Sequence, residues 1–189
     1  MKSVKTLTRR AFLRQSTMAA GALSVSPLVM SRAFGDANPS DKITVGAIGI
    51  AGRGRYILNA FLQYSDVKVV AVCDVFADRR NRAKQMVDEH YGNDDCAAYI
   101  DARELIARPD IDAVMIATGD NNHAPLSILA ARAGKDIYCE KPMSVTIAES
   151  RAVSDAVRHN GRIFQCGTQR RNVGNFVLAV KLARSGALG

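Results

Sequence analysis

The stretch GIAGRG, from Gly49 to Gly54, decides the fold of this chain because of what stands on either side of it. An apolar run, Ile43 to Ile48, precedes the turn, and a helix-like run, Tyr56 to Gln63, follows it. Strand, glycine turn and helix in this order can hold a dinucleotide, with its pyrophosphate at the helix N-terminus. The motif alone is a weak signal, since glycine turns between strands and helices have many structural uses.

Each position of the turn has its own expected role. Gly49 makes the turn, the position of Ala51 brings the backbone close to the pyrophosphate, and Gly54 lets the helix pack on the strand. Ala51 departs from the usual glycine by one methyl group. With Gly52 and Arg53, these residues are the predicted coenzyme-binding turn.

Strand-like and helix-like runs alternate along the rest of the chain. This alternation predicts an α/β fold, a doubly wound parallel sheet of the Rossmann type, with helices on both faces. Further strands are predicted at 67–73, 97–100, 111–117, 136–139 and 162–166, and helices at 77–90, 102–107, 124–133 and 175–185. Another helix opens at Thr146, which has Glu149 at the capping-box spacing.

The N-terminal segment has the layout of an export signal. Arg9 and Arg10 stand before Phe-Leu, a short apolar stretch from Met18 to Met30 follows, and small residues come next. This pattern resembles a twin-arginine signal peptide, is too short for a membrane span, and predicts a periplasmic or other extracytoplasmic location. The alternative is a basic amphipathic arm. We assign residues 1–37 to the signal peptide and linker, and 38–168 to the Rossmann domain.

The charge balance argues against nucleic acid as a partner. The chain has a net charge of +8, but residues 1–35 hold six of its basic residues and no acidic one. The remainder has 20 basic and 18 acidic residues, and so lacks the strong positive charge typical of nucleic-acid binders. The four cysteines show no Cys-x-x-Cys spacing, so we expect buried thiols and no metal site.

Asp74 follows the second predicted strand, 25 residues after Gly49. A carboxylate there can accept hydrogen bonds from the adenosine ribose and would repel a 2′-phosphate, which favours NAD over NADP. The alternative for Asp74 is a helix N-cap. Arg79 and Arg80 leave NADP open, because arginine can pair with a 2′-phosphate or stack on adenine, although solvated helix positions suit them better.

Two loops follow strands at the sheet edge where ligands bind in such folds. The first contains Thr118, Asp120 and His123, and His123 lies at a predicted helix start. His123 could bind the coenzyme or a substrate hydroxyl, or simply pack on the loop. In the second loop Glu140 precedes Lys141, and a partly buried lysine there could bind a substrate hydroxyl and assist proton transfer. A salt-bridged surface lysine is the alternative.

The string YCEKPM, Tyr138 to Met143, resembles the Glu-Lys-Pro motif of the Gfo/Idh/MocA oxidoreductases. The resemblance extends from Lys42 to Gly189 and includes the glycine turn, Cys73-Asp74, and GTQRR at 167–171. It implies that Lys141 orients substrate and nicotinamide, that Glu140 supports the lysine, and that Gln169 and Arg171 lie near the coenzyme. Gly119 departs from the proline usual in the family.

The resemblance also implies a second, C-terminal α/β domain that binds the substrate. We expect residues 169–189 to begin the connection to that domain, and the 189-residue chain to lack it and to be inactive alone. The predicted function is an NAD(P)-dependent oxidoreductase acting on a sugar or cyclitol hydroxyl, a homo-oligomer at full length. The alternatives are an NAD-dependent glycoside hydrolase of the same family and a non-catalytic nucleotide-binding fragment.

Overall fold

Residues 42–187 are described by a computed structural model of the chain. The signal peptide expected at residues 1–37 lies outside these residues. Six parallel strands form one sheet in the order β3-β2-β1-β4-β5-β6. The strands are β1 Ile43–Ile48, β2 Val67–Cys73, β3 Ala97–Tyr99, β4 Ala113–Ile116, β5 Asp136–Glu140 and β6 Phe164–Gly167.

Helices cover both faces of the sheet, which confirms the doubly wound prediction. The helices are α1 Gly52–Phe61, α2 Ala77–Tyr91, α3 Ala102–Ile106, α4 His123–Arg132, α5 Ile147–His159 and α6 Gly174–Arg184. One apolar cluster joins α1 and α2 to the sheet, and a second joins α3, α4 and α5 to its other face. The strand order reverses between β1 and β4, and this kind of fold binds ligands in the crevice at such a reversal.

Most element boundaries differ from the sequence prediction by one or two residues, and one differs by four. Helix α1 begins at Gly52 rather than at Tyr56, so its first turn includes the glycines of the turn motif. Strand β4 covers only Ala113–Ile116, and Asp112 just before it bonds to Thr44 through both its amide and its carboxylate.

Local signals elsewhere in the chain are confirmed. Strand β2 has the predicted bounds, and Thr146 forms the predicted capping box with Glu149 at the start of α5.

Within residues 42–187 the four cysteines are free thiols, of which Cys166 is half-buried and the others are buried. No helix in this range is long and apolar enough to cross a membrane.

Candidate functional site

The glycine turn is shaped by close backbone contacts between three segments. Gly49 has φ +84°, and a Cβ there would lie 2.7 Å from the amide nitrogen of Thr118. A Cβ on Gly54 would lie 1.9 Å from the carbonyl oxygen of Gly49. Only glycine fits at either position, since backbone atoms cannot move aside as a flexible side chain can. Gly54 thus lets α1 pack against the turn, as the sequence predicted.

The first turn of α1 offers free backbone donors. Ala51 is its N-cap and makes no side-chain cap, and the first helical bond of that turn runs from Arg55 N to Ala51 O. The preceding amides have no partner within the helix, and with the helix dipole they favour an anion. Ala51 has φ −71°, a conformation that its methyl group tolerates. Gly52 faces open space, so a ligand can approach the turn there.

Asp74 is buried at the end of β2 and holds the glycine turn in place. Its Oδ2 accepts a hydrogen bond from Ile50 N at 2.8 Å, and its Oδ1 accepts one from Phe76 N at 3.0 Å. It is not the N-cap of α2, because that position belongs to Phe76. A carboxylate has about four acceptor sites, so two bonds leave room for ribose hydroxyls.

The two arginines of α2 have different surroundings. Arg80 donates from Nη1 to the carbonyl oxygen of Asp74 at 2.8 Å, which fixes the end of β2. Arg79 is exposed, and its guanidinium lies over the exposed ring of Phe76, 4.2 Å from the ring centroid. The guanidinium of Arg79 is a planar group on which an adenine ring could stack.

His123 is buried at the start of α4 and connects two loops. Its Nδ1 lies 2.6 Å from the carbonyl oxygen of Pro142, and its Nε2 lies 3.2 Å from that of Thr118. The expected contact of His123 with coenzyme or substrate is therefore corrected, because both ring nitrogens face backbone carbonyls and the side chain is 1% exposed. Thr118 is half-buried and Asp120 is exposed in a short 3-10 turn, Asp120–Asn122.

Glu140 and Lys141 separate at the end of β5. The Glu140 carboxylate is buried, and its Oε1 accepts a hydrogen bond from Nε of Arg53 at 2.8 Å. Lys141 is exposed, contrary to the partial burial expected, and only its backbone amide contacts Glu140, at 3.2 Å from Oε2. The expected support of the lysine by Glu140 therefore does not reach its ammonium group. The Lys141–Pro142 peptide bond is cis.

Gln169 and Arg171 are exposed in the 3-10 turn Gln169–Asn172 after β6. With Tyr138 and Gly167, among others, they line an open cavity of about 410 Å³. Burial, followed by the charge of Glu140, raises the pKa of the Tyr138 phenol. This phenol, at the Glu140 edge of the sheet, was not singled out from the sequence.

The buried thiols are poor nucleophiles. Burial raises the pKa values of Cys73, Cys96 and Cys139 to about 12, with nearby carboxylates adding to the effect at Cys73 and Cys96. Such thiols stay protonated at neutral pH. Within residues 42–187 no three His, Cys, Asp or Glu side chains are grouped so that they could hold a metal ion.

A parallel sheet of this strand order, with a glycine turn after β1 and an acid ending β2, defines a dinucleotide-binding Rossmann domain. Residues 43–168 match the sequence profile of the Gfo/Idh/MocA oxidoreductases, a family with an NAD-binding Rossmann fold, and the chain belongs to this family. The coenzyme predicted from the sequence is thereby confirmed as NAD at the level of the family.

Two similar proteins show how much of a longer chain is matched. The chain is 33% identical over 149 residues to an inositol 2-dehydrogenase of Salmonella typhimurium, covering 78% of this chain and 43% of that protein. It is 33% identical over 162 residues to a glycosyl hydrolase family 109 protein of Saccharopolyspora erythraea, covering 75% of this chain and 35% of that protein. The chain thus spans less than half of each relative.

A solved structure supports the same fold. The myo-inositol 2-dehydrogenase of Lactobacillus plantarum is similar with a TM-score of 0.68 and 25% identity, covering 78% of this chain and 42% of that one.

Proposed function

We propose that this chain is the coenzyme-binding half of an NAD-dependent oxidoreductase that oxidises a hydroxyl group of a cyclitol or sugar. The observation that carries the proposal is the meeting of three features at one edge of the sheet. The uncapped first turn of α1, the carboxylate of Asp74 and the side chain of Lys141 follow β1, β2 and β5. The names of similar proteins, inositol dehydrogenases among them, support a cyclitol as the substrate.

The residues of the turn fit a dinucleotide. The free amides after Ala51 suit a pyrophosphate, and the open space at Gly52 gives it access. Asp74 would accept hydrogen bonds from the adenosine ribose while keeping its bonds to the turn, and its charge would disfavour a 2′-phosphate. Arg79, already stacked on Phe76, would cover the adenine.

The other side chains have roles set by their exposure. Bound NAD supplies the hydride acceptor. Lys141, which makes no ion pair among the described residues, would bind the substrate hydroxyl and assist the departure of its proton. Exposed Asp120, Gln169 and Arg171, with half-buried Thr118, would contact the nicotinamide half. His123 would position the Lys141 loop through the Pro142 carbonyl oxygen.

Two measurements test the proposal. Calorimetric titration of the 189-residue chain with NAD should show saturable binding, and a titration without heat or saturation would contradict it. The longest natural form of the protein should then reduce NAD in the presence of a cyclitol. Lys141→Met should abolish that reduction without changing NAD affinity, whereas Lys181→Met, an exposed lysine on α6, should change neither.

The similarity to a family 109 glycosyl hydrolase favours one alternative function. A hydrolase that uses NAD transiently would cleave a glycoside without net formation of NADH. The near-ultraviolet absorbance of NADH separates the two activities, since only the oxidoreductase accumulates it. NAD binding with neither activity would favour the nucleotide-binding fragment.

We also propose export by the twin-arginine route. The support is the Arg9-Arg10 pair with the apolar stretch and small residues that follow it. Changing both arginines to lysine in a reporter fusion should retain the reporter in the cytoplasm. Undiminished export of that variant would contradict the proposal.

A further inference from the structure

One ion pair connects the coenzyme turn to the segment that contains Lys141. Arg53 lies in the first turn of α1, and Glu140 is the last residue of β5, 87 positions later. Arg53 Nε donates to Glu140 Oε1 at 2.8 Å, and the side chains are 38% and 6% exposed, respectively. Among residues 42–187 this is the only ion pair of Glu140.

The neighbouring strand leaves the carboxylate little freedom. A Cβ on Gly167 would lie 2.8 Å from Glu140 Oε1 and 3.0 Å from the hydroxyl oxygen of Tyr138. The other carboxylate oxygen accepts a hydrogen bond from the Lys141 amide at 3.2 Å. Glu140 therefore contacts Arg53 through one carboxylate oxygen and the backbone amide of Lys141 through the other, so it links the two residues.

The charges make this link sensitive to a ligand at the turn. A buried carboxylate depends strongly on its cation, because the cost of burying its charge is offset by that partner. Arginine has five N–H donors, and Glu140 engages the one on Nε. A pyrophosphate at the free amides of the first turn would meet this guanidinium, which can donate to a second anion while it keeps the first.

We propose that Arg53 is a positioning residue. It couples the binding of a ligand at the glycine turn to a loss of mobility in the Lys141 segment, by which we mean Glu140 and Lys141 at the end of β5. The inference rests on the proposed function, since it requires the coenzyme pyrophosphate at the turn. A phosphate bound by the guanidinium restrains Arg53, and through Glu140 it restrains the Lys141 amide. Coenzyme binding thereby orders the segment carrying the proposed substrate lysine without needing the nicotinamide.

Hydrogen exchange with ADP as the ligand tests this coupling. ADP carries adenosine and two phosphates but no nicotinamide, so it cannot touch the Lys141 segment through that ring. In the native 189-residue chain, saturating ADP should slow exchange at the turn amides, 52–55. It should also slow exchange at the Lys141 amide by about fivefold, the lower end of typical coupling between sites.

Variants assign this effect to the ion pair. Arg53→Gln should keep protection of the turn at saturating ADP but lose that of the Lys141 amide, and Arg53→Lys should retain part of it. Glu140→Gln, which preserves shape and removes the charge, should uncouple the two regions in the same way. Arg55→Gln is the matched control, because Arg55 is exposed on the same helix and has no side-chain partner among residues 42–187, and it should behave as the native chain.

The outcomes separate the two proposals. If neither ADP nor NAD protects the turn of the native chain, the proposed function fails and the coupling fails with it. If ADP protects the turn and the Lys141 amide is unaffected, or is equally protected in Arg53→Gln and Glu140→Gln, the proposed function stands and the coupling is overturned. Melting temperatures of all variants, measured in parallel, show whether each is folded during the exchange.

Discussion

Nδ1 of His123 lies 2.6 Å from the carbonyl oxygen of Pro142, so the first residue of α4 holds the loop that follows Lys141. The same ring faces the carbonyl oxygen of Thr118 through Nε2. In the tautomer that suits the shorter contact, an N–H on Nδ1 donates to the carbonyl oxygen of Pro142. The ring is thus a bridge between two loops at the ligand edge of the sheet.

Removing this bridge should lower stability. His123→Phe keeps a ring but removes the hydrogen bond to the carbonyl oxygen of Pro142, which should reduce the free energy of unfolding by about 1 kcal/mol. Urea unfolding followed by circular dichroism measures the change. His159→Phe, at an exposed position on α5, should stay within about 0.5 kcal/mol of the native chain. Equal losses in both variants would contradict the bridge.

The third glycine of the turn should not tolerate a methyl group. In Gly54→Ala the new Cβ would lie 1.9 Å from the carbonyl oxygen of Gly49, so α1 must move away from the turn. We expect a loss of about 1–3 kcal/mol in unfolding free energy, as for other overpacked sites, together with weaker NAD binding. Gly52→Ala is the matched control, since no atom lies within 4 Å of its Cβ, and its stability should not fall.

Asp74 should control the choice between NAD and NADP. In Asp74→Asn the amide group can accept from only one of the two backbone amides, Ile50 N and Phe76 N, and the charge that repels a 2′-phosphate is lost. We expect about tenfold weaker NAD binding, or about 1.4 kcal/mol, and a smaller preference over NADP. Calorimetric titration with both coenzymes measures this. Asp78→Asn, an exposed neighbour on α2, should leave the preference unchanged.

Stability should fall in alkaline solution because of the buried thiols. Burial raises the folded-state pKa values of Cys73, Cys96 and Cys139 from 9.0 to about 12, so the folded state holds these protons more tightly than the unfolded state. The contribution of these thiols to the free energy of unfolding is complete below pH 9 and is lost as the pH rises toward about 12.

Each such thiol should contribute a slope of about 1.4 kcal/mol per pH unit within that window. Urea unfolding at a series of pH values above 9 measures the total slope. Cys139→Ala lacks one of the thiols, so its unfolding free energy should fall less steeply with pH. An unchanged slope would show that Cys139 does not contribute to the pH dependence of the unfolding free energy.

Much of the fold could be predicted because its signals are local. The apolar run of β2 gave that strand its bounds, and Thr146 with Glu149 marked the start of α5. The start of α1 was placed four residues late, at Tyr56, because glycine disfavours helix interiors. In the first turn that penalty is outweighed at Gly54, where only glycine fits against Gly49.

The site was harder to predict because its contacts are distant in sequence. The sequence paired Glu140 with its neighbour Lys141, whereas the folded chain brings Arg53 to it across 87 positions. The pattern that marked His123 as a functional residue could not show that its two nitrogens face Pro142 and Thr118. Spacing identifies the edge of the sheet that carries chemistry, but tertiary contacts determine which atoms remain accessible there.

The contact between Gly54 and Gly49 has a thermodynamic consequence. The turn is fixed by its own backbone packing and by the Asp74 bond to Ile50, which are contacts within the chain itself. A preorganised cradle loses little conformational entropy on association, so more of the interaction energy with the pyrophosphate is expressed as affinity. A bound ligand therefore costs conformational entropy mainly by ordering exposed side chains such as Lys141, and little by ordering the turn itself.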